Sequence, residues 1–257
     1  MTGVRLDTDT GDDSGTSAQW RAVLDGAPHV AGLRSHAHVF APKAGVFALL
    51  DASLGGKRSD IMLSAARDII EARVAKMPLD LFVRRAFNVQ RALRAYAAAT
   101  LRAVHDAGLE QSFALGTRYA PVSVALALVD PRGNSAVLAS TGIARSFAIN
   151  AGGYLCERGV SRRSFPLGPP DAMTHAARLA RRYGTTAPLT SGPVSVPLSA
   201  HIGFALTSTT IIRPLGTRVE RDPASAARQL VQLSTEPSSA VVVVGTANRA
   251  DNEWSHV

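Results

Sequence analysis

The chain is poor in cysteine, lysine and aromatic residues, and each shortage narrows what it can be. Cys156 is the only cysteine among 257 residues, which excludes an intrachain disulfide and any four-cysteine zinc site. A lone thiol fits a reducing compartment, and an intracellular location is the expectation. No apolar run approaches the length of a membrane span, so no membrane contact is expected. Lysine occurs only at Lys43, Lys57 and Lys76, so the net charge of +8 is carried almost wholly by arginine. Arginine suits bidentate contacts to phosphate or carboxylate, and the balance favours acidic partners, RNA and ribonucleoproteins included. Aromatic residues make up 5% of the chain, and no aromatic-rich RNA motif accompanies the charge. There is no Gly-x-Ser-x-Gly elbow and no phosphate-binding Gly-x4-Gly-Lys-Ser/Thr loop, so serine hydrolysis and P-loop nucleotide chemistry find no support.

What is abundant is ordinary globular material, 46% hydrophobic and 19% charged, long enough for one large domain. The first residues, MTGVRLDTDTGDDSGTS, carry Asp7, Asp9, Asp12 and Asp13 and read as neither a secretory signal nor a transit peptide. Residues 1–26 are expected to be a disordered acidic tail, 27–247 a single domain, and 248–257 a polar end. Short apolar runs bounded by Gly, Pro, Asn or Asp predict strands at 45–51, 122–130, 136–141, 145–150, 202–208 and 240–245. Pro131-Arg132-Gly133-Asn134 reads as a hairpin loop.

Four helices are expected. The first runs from Ser59 to about Met77 with Met62, Ala65, Ile69 and Ile70 on its apolar face. The second runs from about Leu79 to Asp106, with Phe82, Ala86, Leu93, Ala97, Thr100 and Val104 inward and Gly108 as its stop. The third spans about 170–184, and the fourth starts from the cap Asp222-Pro223. Helices that come in pairs, rather than after each strand, predict an α+β fold: antiparallel sheets covered by helices.

Three groups of residues invite a chemical reading. His36 and His38 would share one face of a strand, and with Asp51 could offer two imidazoles and a carboxylate to one transition metal; as plainly, they are polar residues on an exposed strand. Cys156 and Arg162 have the Cys-x5-Arg spacing of cysteine phosphatases, but the segment runs into SFPLGPP, which cannot open a helix at once, and no histidine precedes the cysteine. Arg178, Arg181 and Arg182 fall on one helix face and form a candidate partner surface, or simply a solvated one.

The stretch VLASTGIARSFAIN at 137–150 raises a different question. Two apolar runs flank a turn at Ser140-Thr141-Gly142, yet Ile143 and Ala144, which follow, can ligate nothing. The order of elements and four local sequences resemble the metal-dependent protein phosphatases of the 2C class, the PPM family. GVFALLDASLGG (45–56) is similar to the strand ending in Asp-Gly-His-Gly-Gly. Residues 122–153 are similar to the hairpin carrying Gly-Asp-Ser-Arg, IGFALTSTTIIRPLG (202–216) to the strand ending in Ser-Asp-Gly, and AVVVVG (240–245) to the last strand. The resemblance covers about residues 28–247. It implies a four-layer α-β-β-α sandwich, two antiparallel sheets flanked by helix pairs, and a site where carboxylates hold two divalent ions.

Most of those carboxylates are missing here. Asp51 matches the first aspartate, with Ala52 for a glycine and Ser53-Leu54 where histidine is expected. Gly142 and Arg145 match their motif, but Ile143 replaces its aspartate. Ser208 matches, but Thr209 replaces the bridging aspartate, and Pro237-Ser238-Ser239 stand where Asp-Asn belongs. Arg34 falls at the phosphate-binding arginine and, with Arg145, is a candidate phosphate contact; His36, Ala37 and His38 replace acids. The expectation is a pseudophosphatase without cofactor, acting as a scaffold or regulatory subunit through a protein partner. The alternative is a divergent Mg- or Mn-dependent serine/threonine phosphatase with a reduced metal site.

Overall fold

Five strands pair antiparallel in one sheet: β3 (His36–Ala41), β4 (Val46–Asp51), β5 (Ser123–Val129), β6 (Ser135–Thr141) and β9 (Val194–Pro197), side by side in that order. Every residue of β4, β5 and β6 is buried, so both faces of this sheet are covered. The pleat sorts the side chains. Val46, Ala48 and Leu50 turn to one side, Phe47 and Leu49 to the other. The first side meets helices α1 (Ser59–Lys76) and α2 (Val89–Ala114), whose Met62, Leu63, Ala66, Ile70, Leu93, Tyr96, Ala97 and Leu101 complete one core. The Arg73 guanidinium lies 4.8 Å from the centre of the Tyr96 ring and joins the two helices.

The other side faces a second antiparallel sheet. Its strands are β1 (Arg5–Leu6), β2 (Trp20–Gly26), β11 (Ser239–Gly245), β10 (His201–Thr207), β7 (Arg145–Asn150) and β8 (Leu155–Glu157), in the order β1-β2-β11-β10-β7-β8. Phe47, Leu49, Ala125 and Leu138 of the first sheet pack on Ala148, Phe204 and Leu206 of the second. The outer face of the second sheet carries Phe147, Ile149 and Ala205, which meet Ala226, Ala227 and Leu230 of helix α3 (Pro223–Gln232). The sequence-based expectation of an α+β sandwich of two antiparallel sheets with helices outside is met. This computed structural model describes residues 5–6, 20–26, 36–41, 44–52, 59–76, 79, 88–114, 122–130, 135–157, 193–208, 216–220, 222–233 and 239–245.

Helix α3 begins as the Asp-Pro pair predicts. Asp222 Oδ2 accepts a 2.9 Å hydrogen bond from the Ser225 N–H, and Pro223 opens the helix. Asp222→Ala should cost about 1 kcal/mol, read as a lowered midpoint in urea.

Three expectations change. Residues 1–26 are not wholly a tail: β2 pairs with β11 along its full length, and Arg5–Leu6 pairs with β2. The second helix does not stop at Gly108 but continues to Ala114; an interior glycine costs only roughly 1 kcal/mol, too little by itself to end a long helix. Along α1 the buried stripe is Met62, Leu63, Ala66 and Ile70, while Ala65 and Ile69 are only half-buried. The third expected helix, the loop 131–134 and the end 248–257 lie outside the described residues.

Candidate functional site

The turn at Gly142 is a short bridge between the sheets. β6 ends at Thr141 in the five-stranded sheet and β7 begins at Arg145 in the six-stranded one. Gly142 adopts φ 65°, a left-handed conformation that favours glycine. The polar groups of the turn are used in holding it. The Ile143 N–H donates to Ser123 Oγ at 3.1 Å, and the Val124 N–H donates to Thr141 Oγ1 at 3.1 Å. Arg145 Nη1 donates to the carbonyls of Gly142 at 2.8 Å and Ala144 at 2.9 Å. A turn shaped like a site thus keeps its frame through two hydroxyls and a buried guanidinium.

Register brings the other motif positions to the same end of the sandwich. Asp51 lies opposite His36 on one side and Ser123 on the other. Ser140 lies opposite Ala125, and Arg145 opposite Thr207, which in turn pairs with Ala240. Most buried polar residues of the described chain collect here: Asp51, Ser123, Ser140, Thr141, Arg145, Ser146, Thr207 and Ser208. Asp51 is 1% exposed and Ser208 fully buried. The pleat that carries Phe47 and Leu49 inward also carries Asp51 to the space between the sheets, and Ser208 follows Phe204 and Leu206 there.

Arg145, a candidate phosphate contact from sequence, has Nη1 committed to its own turn. It also starts the pleat that continues through Phe147 and Ile149 into the outer core, away from Asp51. His36 takes the register position opposite Asp51, but His38 lies opposite Leu49, two residues and about 7 Å along the strand. The His38 ring stacks on Phe40 with centroids 4.8 Å apart. Its pKa is lowered, first by loss of solvation and then by Arg67. Cys156 sits in β8 opposite Ala148, in a strand rather than a loop that opens a helix. Arg34, Ser53, Thr209, Ser238, Arg178, Arg181 and Arg182 lie outside the described residues.

Among the described residues no group of three or more His, Cys, Asp or Glu side chains is placed to hold a metal ion. Among the buried residues described at this end Asp51 is the one carboxylate, and the rest of that set consists of hydroxyls and Arg145. Hydroxyls offer lone pairs but no charge, whereas two divalent cations bring four positive charges that need anionic ligands. The described donor set does not fit a two-cation site. Sequence reasoning missed the hydroxyls, because Ser123, Ser140, Ser146 and Thr207 read as fillers in apolar strands. Their signal is position: each stands at a strand end level with Asp51 or the Gly142 turn.

No family model matches the chain, and no curated protein matches it significantly. Solved structures do. PppA, described as a key regulatory component of T6SS in Pseudomonas aeruginosa, superposes with a TM-score of 0.57 at 18% identity, covering 89% of this chain and 99% of PppA. The catalytic domain of the serine/threonine phosphatase PstP, in complex with two manganese ions, gives 0.56 at 16% identity over 89% and 98%. RsbX, in complex with magnesium, gives 0.53 at 7% identity over 91% and 98%. The chain therefore has the fold of the PPM serine/threonine phosphatases. No helix among the described residues is long and apolar enough to cross a membrane.

Proposed function

We propose that this phosphatase-fold protein binds a protein partner and does not hydrolyse phosphoesters. One observation carries the reading: among the described buried side chains at the end of the sandwich that carries the motif positions, Asp51 is the one carboxylate, set among hydroxyls. Sequence comparison with the family motifs adds Ile143, Thr209 and Ser238 at positions where acids belong. Without anions to hold two cations, there is no metal-bound water to attack phosphorus. Catalysis is then lost, while the three cores that define the surface are kept. The role that remains is that of a scaffold or regulatory subunit, with no cofactor.

The test pairs turnover with metal binding. Hydrolysis of an aryl phosphate in Mn²⁺ or Mg²⁺ should not rise above the protein-free control, for the natural chain or for Asp51→Asn. Thermal unfolding in millimolar Mn²⁺ should leave Tm unchanged. An ion present at 100 times its Kd would stabilise the fold by about 2.7 kcal/mol, so a flat Tm is informative. Metal-dependent turnover abolished in Asp51→Asn would overturn the proposal.

That outcome would favour a second reading, supported by the register that sets His36 opposite Asp51. In it a divergent phosphatase holds one Mg²⁺ or Mn²⁺ with Asp51 and His36, and Arg34 binds phosphate.

A further inference from the structure

Away from the sandwich end, β3 forms one edge of the five-stranded sheet, and among the described strands none pairs with its outer side. An edge strand leaves every second residue's N–H and C=O directed outward, a ready template for another strand. Native edges are commonly blunted by proline, lysine or a bulge; β3 reads HAHVFA and pairs with β4 in unbroken register. Beside this edge runs helix α1. Together they enclose a groove of about 420 Å³ along His38, Val39, Phe40 and Ala41, with Arg67, Glu71, Val74 and Ala75 as the helical wall. Residues 67, 71 and 74 fall on one helix stripe, so the wall runs alongside the strand rather than across it.

The groove is apolar at one end and charged at the other. Val74 and Ala75 supply the apolar part. Arg67 supplies the cationic group and His38 a ring nitrogen; the His38 ring stacks on Phe40, which packs toward Phe47 on the other face of the sheet. Glu71 takes only the Arg67 Nε, at 2.7 Å. The two Nη groups have no partner among the described residues, and they keep the planar fork that matches a carboxylate.

We propose that this groove receives an extended acidic segment of a partner protein, added to β3 as a new edge strand. Main-chain hydrogen bonds to β3 supply affinity, and alternate side chains enter the groove, as in other strand-addition complexes. A carboxylate of the segment pairs with the Arg67 fork, next to the Arg67–Glu71 pair. The four β3 residues span about 13 Å, so a segment of about four to six residues fills the groove. The net charge of +8 favours an acidic segment over a basic one. This names a surface for the binding role proposed above, but it stands apart from the Asp51 end and is tested without hydrolysis.

The probe is a phage-displayed library of random octapeptides selected on the folded full chain, with selected peptides remade and measured by fluorescence polarisation. Selected sequences should be rich in Asp or Glu between β-branched residues. Their binding should shift the amide resonances of residues 38–41 and 67–75 and slow hydrogen exchange along β3. Arg67→Glu, an exposed change whose fold is checked by circular dichroism, should weaken binding at least tenfold. The same variant should gain affinity for the peptide with its acids changed to lysine. Four results would overturn the proposal: no selected peptide, no acidic preference, affinity indifferent to Arg67→Glu, or occupation of β3 by a second copy of the chain, seen as a dimer in sedimentation. Turnover of aryl phosphate would defeat the preceding proposal and leave this one standing.

Discussion

Phe204→Ala destabilises the fold by about 3–5 kcal/mol. Phe204 is fully buried in the layer between the sheets, and its ring meets Phe47 of the opposite sheet edge-on, with centroids 5.7 Å apart and planes at 66°. Removing it takes away the transfer free energy of a whole ring and opens a cavity that two paired sheets cannot close without breaking their ladders. For a chain of this size about 2–4 °C of Tm follows each kcal/mol, so differential scanning calorimetry should show a fall of about 6–20 °C. Phe113→Ala is the control. Phe113 is 91% exposed near the end of α2, and its loss should leave Tm within about 1 °C of the natural chain.

The second large effect is Gly45→Ala. Gly45 precedes β4 at φ 66°, and a Cβ added there would lie 2.6 Å from the Val129 carbonyl oxygen. That neighbour is main chain within β5, held by the Val129 N–H, which donates to the Gly45 carbonyl at 2.7 Å, so neither side yields cheaply. Left-handed strain costs about 1–2 kcal/mol, and the clash adds to it, for a total of about 2–4 kcal/mol in urea unfolding. Gly216→Ala separates the two causes. Gly216 has φ 76° but, among the described residues, no heavy atom within 4 Å of a built Cβ. It should lose only the strain, about 1–2 kcal/mol.

The layered fold was legible because burial on both faces leaves a crude signature. Runs such as SVALALV and SAVLAST are apolar but for hydroxyl residues near their ends, and each became a central strand. The edges were harder. HAHVFA and VSVP at β3 and β9 mix polar and apolar residues, as strands with one free edge do. WRAVLDG at β2 alternates Trp20, Ala22 and Leu24 with Arg21, Val23 and Asp25, but the acidic residues ahead of it hid that period. Gly108 was read as a stop because local propensity speaks against glycine inside a helix, but that cost is only roughly 1 kcal/mol and the helix runs on to Ala114.

The candidate site divides in the same way. Asp51 and the Gly142 turn could be placed from the resemblance alone. The meaning of Arg145 could not, because a guanidinium that closes its own turn and one that reaches a ligand have the same sequence. Only the 2.8 and 2.9 Å bonds to Gly142 and Ala144 tell them apart. The hydroxyl row was invisible for a related reason: a serine in a buried strand becomes significant when register sets it beside a carboxylate, as Ser123 stands beside Asp51.

The pairing of β2 with β11 has a consequence for how the protein is made. These strands lie near opposite ends of the chain, and each residue of one finds its partner in the other. Contacts of such wide sequence separation form late, because the intervening chain must be closed into a loop first. On the ribosome the separation is also a delay: β11 emerges after the other described strands, so β2 waits for its neighbour while all the strands between them are made. The sheet of β3 to β6 needs only residues 36–141 and can gather on its helices in the meantime. Until β11 emerges, the nascent protein holds a half-built sandwich with an open strand edge, the kind of surface that chaperones cover.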